Sequence, residues 1–260
     1  MSPTSPDRGV SRYRVKCPER VRSDNHGCSV VQFRSVAPPD AVRTVARHPS
    51  AVLLVAQLVV VLAYPFLDGT TAGRAVVGVV QMCVVLIAAW AVRYTPVLSW
   101  VAVVLGLPAM VFAVLEAVTR DSDAVVIASA AFHVPFYLFV SYAMIRYLFH
   151  DDVVTRDELY AVGAAFTVVA WAFAYLYAAA QAIWPGSFVG YGADVAADQE
   201  WFELLYLSFT TLTSVGLSDV YPVHDHARSL VMVEQVAGVL YVALVIARLV
   251  GLSHLRKIKK

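Results

Sequence analysis

Six long apolar runs constrain this chain more than any other feature of its sequence. They cover residues 50–67, 75–92, 97–118, 124–149, 159–184 and 227–252, and each is near the length of about 20 residues that a helix needs to cross a bilayer. With 59% hydrophobic and only 15% charged residues, an ordinary water-soluble domain is excluded. In lipid every backbone polar group must be satisfied within the protein, which leaves helices or closed barrels, and runs of this length are too long for barrel strands. The expected fold is therefore an all-α membrane protein with six transmembrane helices. The first two runs are short, and flanking residues or local thinning of the bilayer extend their reach.

Charge placement sets the expected orientation. Residues 1–49 hold nine Lys and Arg against four Asp and Glu, and the last five residues include Arg256, Lys257, Lys259 and Lys260. The segment 185–225 holds six acids and no Lys or Arg. Basic flanks stay in the cytoplasm, so both termini are expected there, with 185–225 outside, in a multi-pass plasma-membrane protein. An even number of spans agrees with this. The first 49 residues contain no apolar core of the kind a secretory signal needs.

Between the fifth and sixth runs the pattern changes. Asp198 is positioned to cap a short helix over about 199–212, whose Trp201, Phe202, Tyr206 and Phe209 suit packing near an interface. Its C-terminal end would carry partial negative charge and favour a cation. The stretch Leu207-Ser-Phe-Thr-Thr-Leu-Thr-Ser-Val-Gly-Leu-Ser-Asp219 resembles the pore helix and selectivity filter of the potassium-channel superfamily, in which successive backbone carbonyls replace the water around a dehydrated ion. The resemblance covers about 154–252 and is most specific from Ser208 to Pro222. It implies a re-entrant pore helix and a filter between the fifth and sixth helices.

By that resemblance the ion-binding positions are Thr213, Ser214, Val215, Gly216, Leu217, Ser218 and Asp219. Leu217 stands where the family has tyrosine, and Ser218 replaces its second glycine. If Ser218 is left-handed it costs roughly 1 to 2 kcal/mol. A closer literal match to the filter signature, Val189-Gly190-Tyr191-Gly192, lacks a preceding pore helix and reads as an outer turn.

Charge and hydropathy divide the chain into a basic cytoplasmic segment 1–49, a four-helix module 50–149, a domain 154–252 and a basic tail 253–260; within 154–252 the resemblance implies a pore domain with outer helix 159–184, pore helix about 199–212, filter 213–219 and inner helix 227–252. Thr155 and Glu158 fit a capping box at the start of the outer helix. Gly238 matches the family's inner-helix gating hinge, and close helix packing is an equal reading. Glu234, one turn earlier, needs a partner at membrane depth, and the hydroxyls of Thr210 and Thr211 are candidates for support behind the filter.

The fourth run has only Arg146, near its end, whereas steep voltage sensing needs several arginines on one helix. His133 reads as a hydrogen-bonded interior residue, and Glu116 as an acid near a helix end that reaches water. Cys17, His26 and Cys28 lack the spacing of a metal site, and the spans hold no convergent catalytic set. The basic ends either attract anionic lipid or serve orientation alone. The expectation is a homotetrameric cation channel, potassium-conducting, with no cofactor, catalytic residue or nucleic-acid partner. The alternatives are a weakly selective monovalent cation channel, because of Ser218, and a non-conducting membrane scaffold or sensor.

Overall fold

The computed structural model describes residues 49–67, 69–91, 96–119, 122–148, 156–190 and 198–258. Within these lie helices α1 (Pro49–Leu67), α2 (Thr71–Ala91), α3 (Pro96–Val118), α4 (Asp123–Leu148) and α5 (Arg156–Ile183). They are followed by strand β1 (Phe188–Gly190), helix α6 (Trp201–Leu212), strand β2 (Val220–Pro222) and helix α7 (Asp225–Ile258). Among the described residues four helices are long and apolar enough to cross a membrane, over Ser50–Leu67, Asp123–Arg146, Asp157–Ile183 and Asp225–Arg248. In α2 and α3 the described apolar stretches, Thr71–Val80 and Val103–Val118, are shorter.

Local chemistry accounts for where the helices begin. Pro49 and Pro96 occupy first helical positions, where a missing N–H costs nothing and the fixed φ is already helical. Thr70 caps α2 by accepting the Gly73 N–H at 3.0 Å. The outer helix opens at Arg156, while Thr155, proposed for its capping box, lies outside the described residues. Pro65, Pro108 and Pro135 sit inside helices, which neighbouring helices make tolerable.

The hub is α5, which packs against α4, α1, α6 and α7. Its buried face is rich in small residues, among them Ala161, Ala164, Ala165 and Ala172, and small side chains let helix backbones approach closely where lipid offers no hydrophobic drive between helices. Phe136, Tyr137 and Val140 of α4 fill the space against Trp171 of α5 in the main core. The starts of α1 and α5 are tied by Asp157, which accepts from the Ser50 N–H at 3.1 Å and the Ser50 hydroxyl at 2.8 Å. His133 is an interior residue as expected: its Nδ1 lies 2.8 Å from the Ser129 carbonyl and its ring stacks on Tyr175 at 4.1 Å. Glu116 is half-buried and accepts the Ser129 hydroxyl at 2.7 Å, so it is held by the protein and does not simply reach water.

Candidate functional site: the segment from α6 to α7

The segment 198–222 leaves the end of α5 and returns to it. On the outgoing side, Gln181 near the end of α5 holds Gln199 through two hydrogen bonds, Nε2 to the Gln199 carbonyl at 2.9 Å and Gln199 N–H to Oε1 at 3.0 Å. The amide side chain thus pairs with main chain as a strand would. On the returning side, β2 pairs antiparallel with β1, with Val189 opposite Tyr221, and the Val223 N–H reaches the Ser187 carbonyl at 2.9 Å. Helix α6 and the seven residues after it therefore form a loop with both ends fastened at one end of α5.

The cap of α6 differs from expectation. Its N-cap residue is Glu200, not Asp198, and Glu203 reaches back to accept the Glu200 N–H at 2.9 Å. That glutamate three residues into the helix is the signature of a capping box. Asp198 instead faces a cleft of about 400 Å³ where the earlier helices meet the start of α6, lined in part by Tyr64, Glu116, Asp123 and Trp201. Partial burial, with Asp123 nearby, raises the Asp198 carboxyl above the ordinary carboxylate range.

The C-terminal end of α6 is closed by a Schellman motif. Thr213 is the C-cap, the Ser214 N–H bonds the Thr211 carbonyl at 2.9 Å, and the Val215 N–H bonds the Thr210 carbonyl at 3.0 Å. The motif needs a left-handed residue after the cap, and Ser214 supplies it with φ of 59°. Gly216 follows with φ of 69°. Ser218 is not left-handed, so the cost that a left-handed serine would carry does not arise there. Its hydroxyl oxygen accepts the Val220 N–H at 3.2 Å, a short turn that leads the chain into β2. The backbone strain sits four residues earlier, where a helix ends without glycine. Residues 215–218 are irregular, and Thr213, Ser214, Val215, Gly216, Leu217 and Asp219 are exposed on the single chain.

Behind this segment, the expected pairing of Glu234 with Thr210 or Thr211 is wrong. Thr210 donates to the Leu207 carbonyl at 2.9 Å. Glu234, wholly buried, is bonded by the hydroxyls of Tyr177 on α5 and Ser208 on α6. Ser208 and Thr211 lie three apart on one helical face, so the partner sits about one turn before the expected threonines. A buried acid at this depth called for some hydroxyl partner, but nothing local signalled Tyr177.

Gly238 is explained by space. A Cβ there would lie 2.1 Å from the Leu212 carbonyl oxygen, so α7 approaches the last residue of α6 more closely than any side chain permits. The literal signature at Val189 and Gly190 is a buried strand, not a turn, and Tyr191 and Gly192 lie outside the described residues. Among the described residues no group of three or more His, Cys, Asp or Glu is placed to hold a metal ion; Cys17, His26 and Cys28 lie outside them.

Residues 163–252, which run from α5 through α6 and the exposed segment into α7, match the family described as Ion channel. Over these residues the chain is similar to the ion-channel family, which supports membership of that superfamily. The match covers roughly a third of the sequence and leaves out the first four helices. No curated protein and no solved structure matches the chain. Within the channel region, every contact described above that fixes 213–219 comes from α5, α6 or α7, or from the strand pair joining them.

Proposed function

We propose that the chain forms a homotetrameric, potassium-conducting channel of six spanning helices per subunit, in which residues 213–219 are the filter. The observation that carries this reading is the left-handed pair at Ser214 and Gly216, which folds the chain back from the end of α6 and leaves the backbone of 215–218 free of regular pairing. Carbonyls not engaged in a helix or sheet are what an ion path requires. No single chain encloses such a path. Leu217 and Val215 are 71% and 59% exposed on the single chain, and apolar Val236, Val239 and Leu240 of α7 are exposed as well; in the tetramer, neighbouring subunits cover such faces. The six acids of 185–225 on each subunit raise the cation concentration at the outer mouth.

Purified protein in liposomes should pass potassium. Replacing Gly216 by a bulky residue should abolish that flux, because φ of 69° disfavours a side chain even though the space around Gly216 is open on the single chain. Changing Gly190 should leave flux in place. Liposomes closed to every cation tested would rule the channel out and leave the scaffold reading.

A second reading, weak selectivity among monovalent cations, is favoured by one observation. The Ser218 turn replaces a glycine position with a side-chain hydrogen bond to Val220, so the outer filter site differs in shape from that of the family. Reversal potentials under opposed potassium and sodium gradients separate the two readings.

A further inference from the structure

Glu234, Tyr177 and Ser208 come from three different helices, and all three side chains are fully buried. The Tyr177 hydroxyl bonds Oε2 of Glu234, and the Ser208 Oγ bonds Oε1. The same Ser208 Oγ lies 2.9 Å from the Ala170 carbonyl oxygen. A serine hydroxyl has one proton to give, and here it faces two acceptors.

If Glu234 were ionised it would take the Ser208 proton. Ser208 Oγ and the Ala170 carbonyl would then face each other with no proton between them, and a carboxylate would stand at membrane depth held only by the neutral hydroxyls of Tyr177 and Ser208. If Glu234 carries its own proton, the set closes. Oε1–H donates to Ser208, Ser208 donates to the Ala170 carbonyl, and Tyr177 donates to Oε2. Every side-chain oxygen of Glu234, Tyr177 and Ser208 then has a partner.

Position gives this set its consequence. Ser208 meets Glu234, and four residues further along both helices Leu212 meets Gly238 with backbone almost in contact. One point of contact would let α7 rock on α6. Two points a helical turn apart fix both rotation and register, and Thr213 follows directly on the second.

We propose that Glu234, as a neutral acid, is a positioning residue for the filter: it pins inner helix α7 to α6 and to α5, and thereby fixes the placement of the carbonyls from Thr213 onward. This rests on the reading of 213–219 as a filter.

The test uses the full-length tetramer in liposomes with wild type, Glu234→Gln, Glu234→Leu and Tyr177→Phe. Glutamine reproduces one donor and one acceptor, so E234Q should keep the wild-type ratio of potassium to sodium permeability. E234L removes every polar contact at the pin and should lower that ratio about tenfold, the effect of losing a buried hydrogen-bonded partner. Y177F removes one hydrogen bond without opening a cavity and should lower it in the same direction; it decides the matter if E234L does not assemble. Infrared spectra should show a protonated-carboxyl C=O stretch in wild type that E234Q lacks and Y177F shifts. Unchanged permeability ratios in E234L and Y177F, or no such band, would overturn the proposal. A wild type that passes no cation while keeping the band would instead overturn the filter reading and leave a neutral pin of structural purpose only.

Discussion

Ser214 carries a cost that its neighbours do not. A non-glycine residue at φ of 59° is strained by about 1 to 2 kcal/mol, partly offset because glycine would surrender more chain entropy on folding. S214G should therefore raise thermal stability by up to about 1 kcal/mol, read from unfolding in detergent, whereas S218G should not, because Ser218 occupies no left-handed position. Gly238 is constrained by space and not by conformation. G238A would drive a Cβ against the Leu212 carbonyl, and because that atom is backbone it cannot swing aside. The expected result is destabilisation by roughly 1 to 3 kcal/mol together with loss of flux. A residue acting as a hinge alone would behave differently, since alanine would leave thermal stability intact and alter only opening.

Among the elements, α6 is held unusually well for a helix of twelve residues. Isolated helices of that length are marginal in water, and here a glutamate box closes the start, a Schellman motif closes the end, and Gln181 and β1 secure the chain on either side. The start also has an unfavourable feature. Asp198 has its carboxyl raised by burial, with Asp123 adding repulsion. The folded state thus disfavours the ionised form, and its penalty is absent at pH below the unfolded carboxylate range and complete once pH exceeds the raised folded value. Asp198→Asn should accordingly give a slightly more stable protein at neutral pH, with the difference from wild type vanishing in acid. Thermal melts of both proteins across that range check the sign.

For the whole molecule, the proposed assembly has consequences that no single element shows. Native mass of the detergent-solubilised protein should be that of four chains, and conductance at fixed driving force should rise relative to a neutralised outer segment only at low ionic strength, since screening shortens the reach of the outer acids to about 10 Å at 0.1 M salt. The fourth helix brings Arg146 alone, exposed in its last turn. Conductance should vary weakly with voltage, because each charge moved through the field is worth only about 2.3 kcal/mol per 100 mV. A rise of e-fold within a few millivolts would contradict this. The cleft beside Asp198 places the earlier helices against the first turn of α6, so their packing bears on the region that the channel match covers.

Short-range pattern along the chain accounts for its broad plan. Apolar runs of spanning length dictate helices; the interval of residues 185–225, with acid and no base, dictates a distinct segment; and the order helix, short helix, Ser-Val-Gly, helix points to a channel. Each is legible because hydrophobicity, charge and helical length act along the chain. Which residue carries the strain, which hydroxyls meet Glu234, and why Gly238 must be glycine follow from packing in three dimensions. Whether Ser214 or Ser218 is left-handed depends on how α6 is capped. The partner of Glu234 depends on the register of α7 against α6, and one helical turn separates Thr211 from Ser208. Tyr177 lies fifty-seven residues from Glu234, and the Leu212 carbonyl touches Gly238 only because α6 and α7 approach at that point. Those are facts of three-dimensional contact, and no local pattern in the chain encodes them.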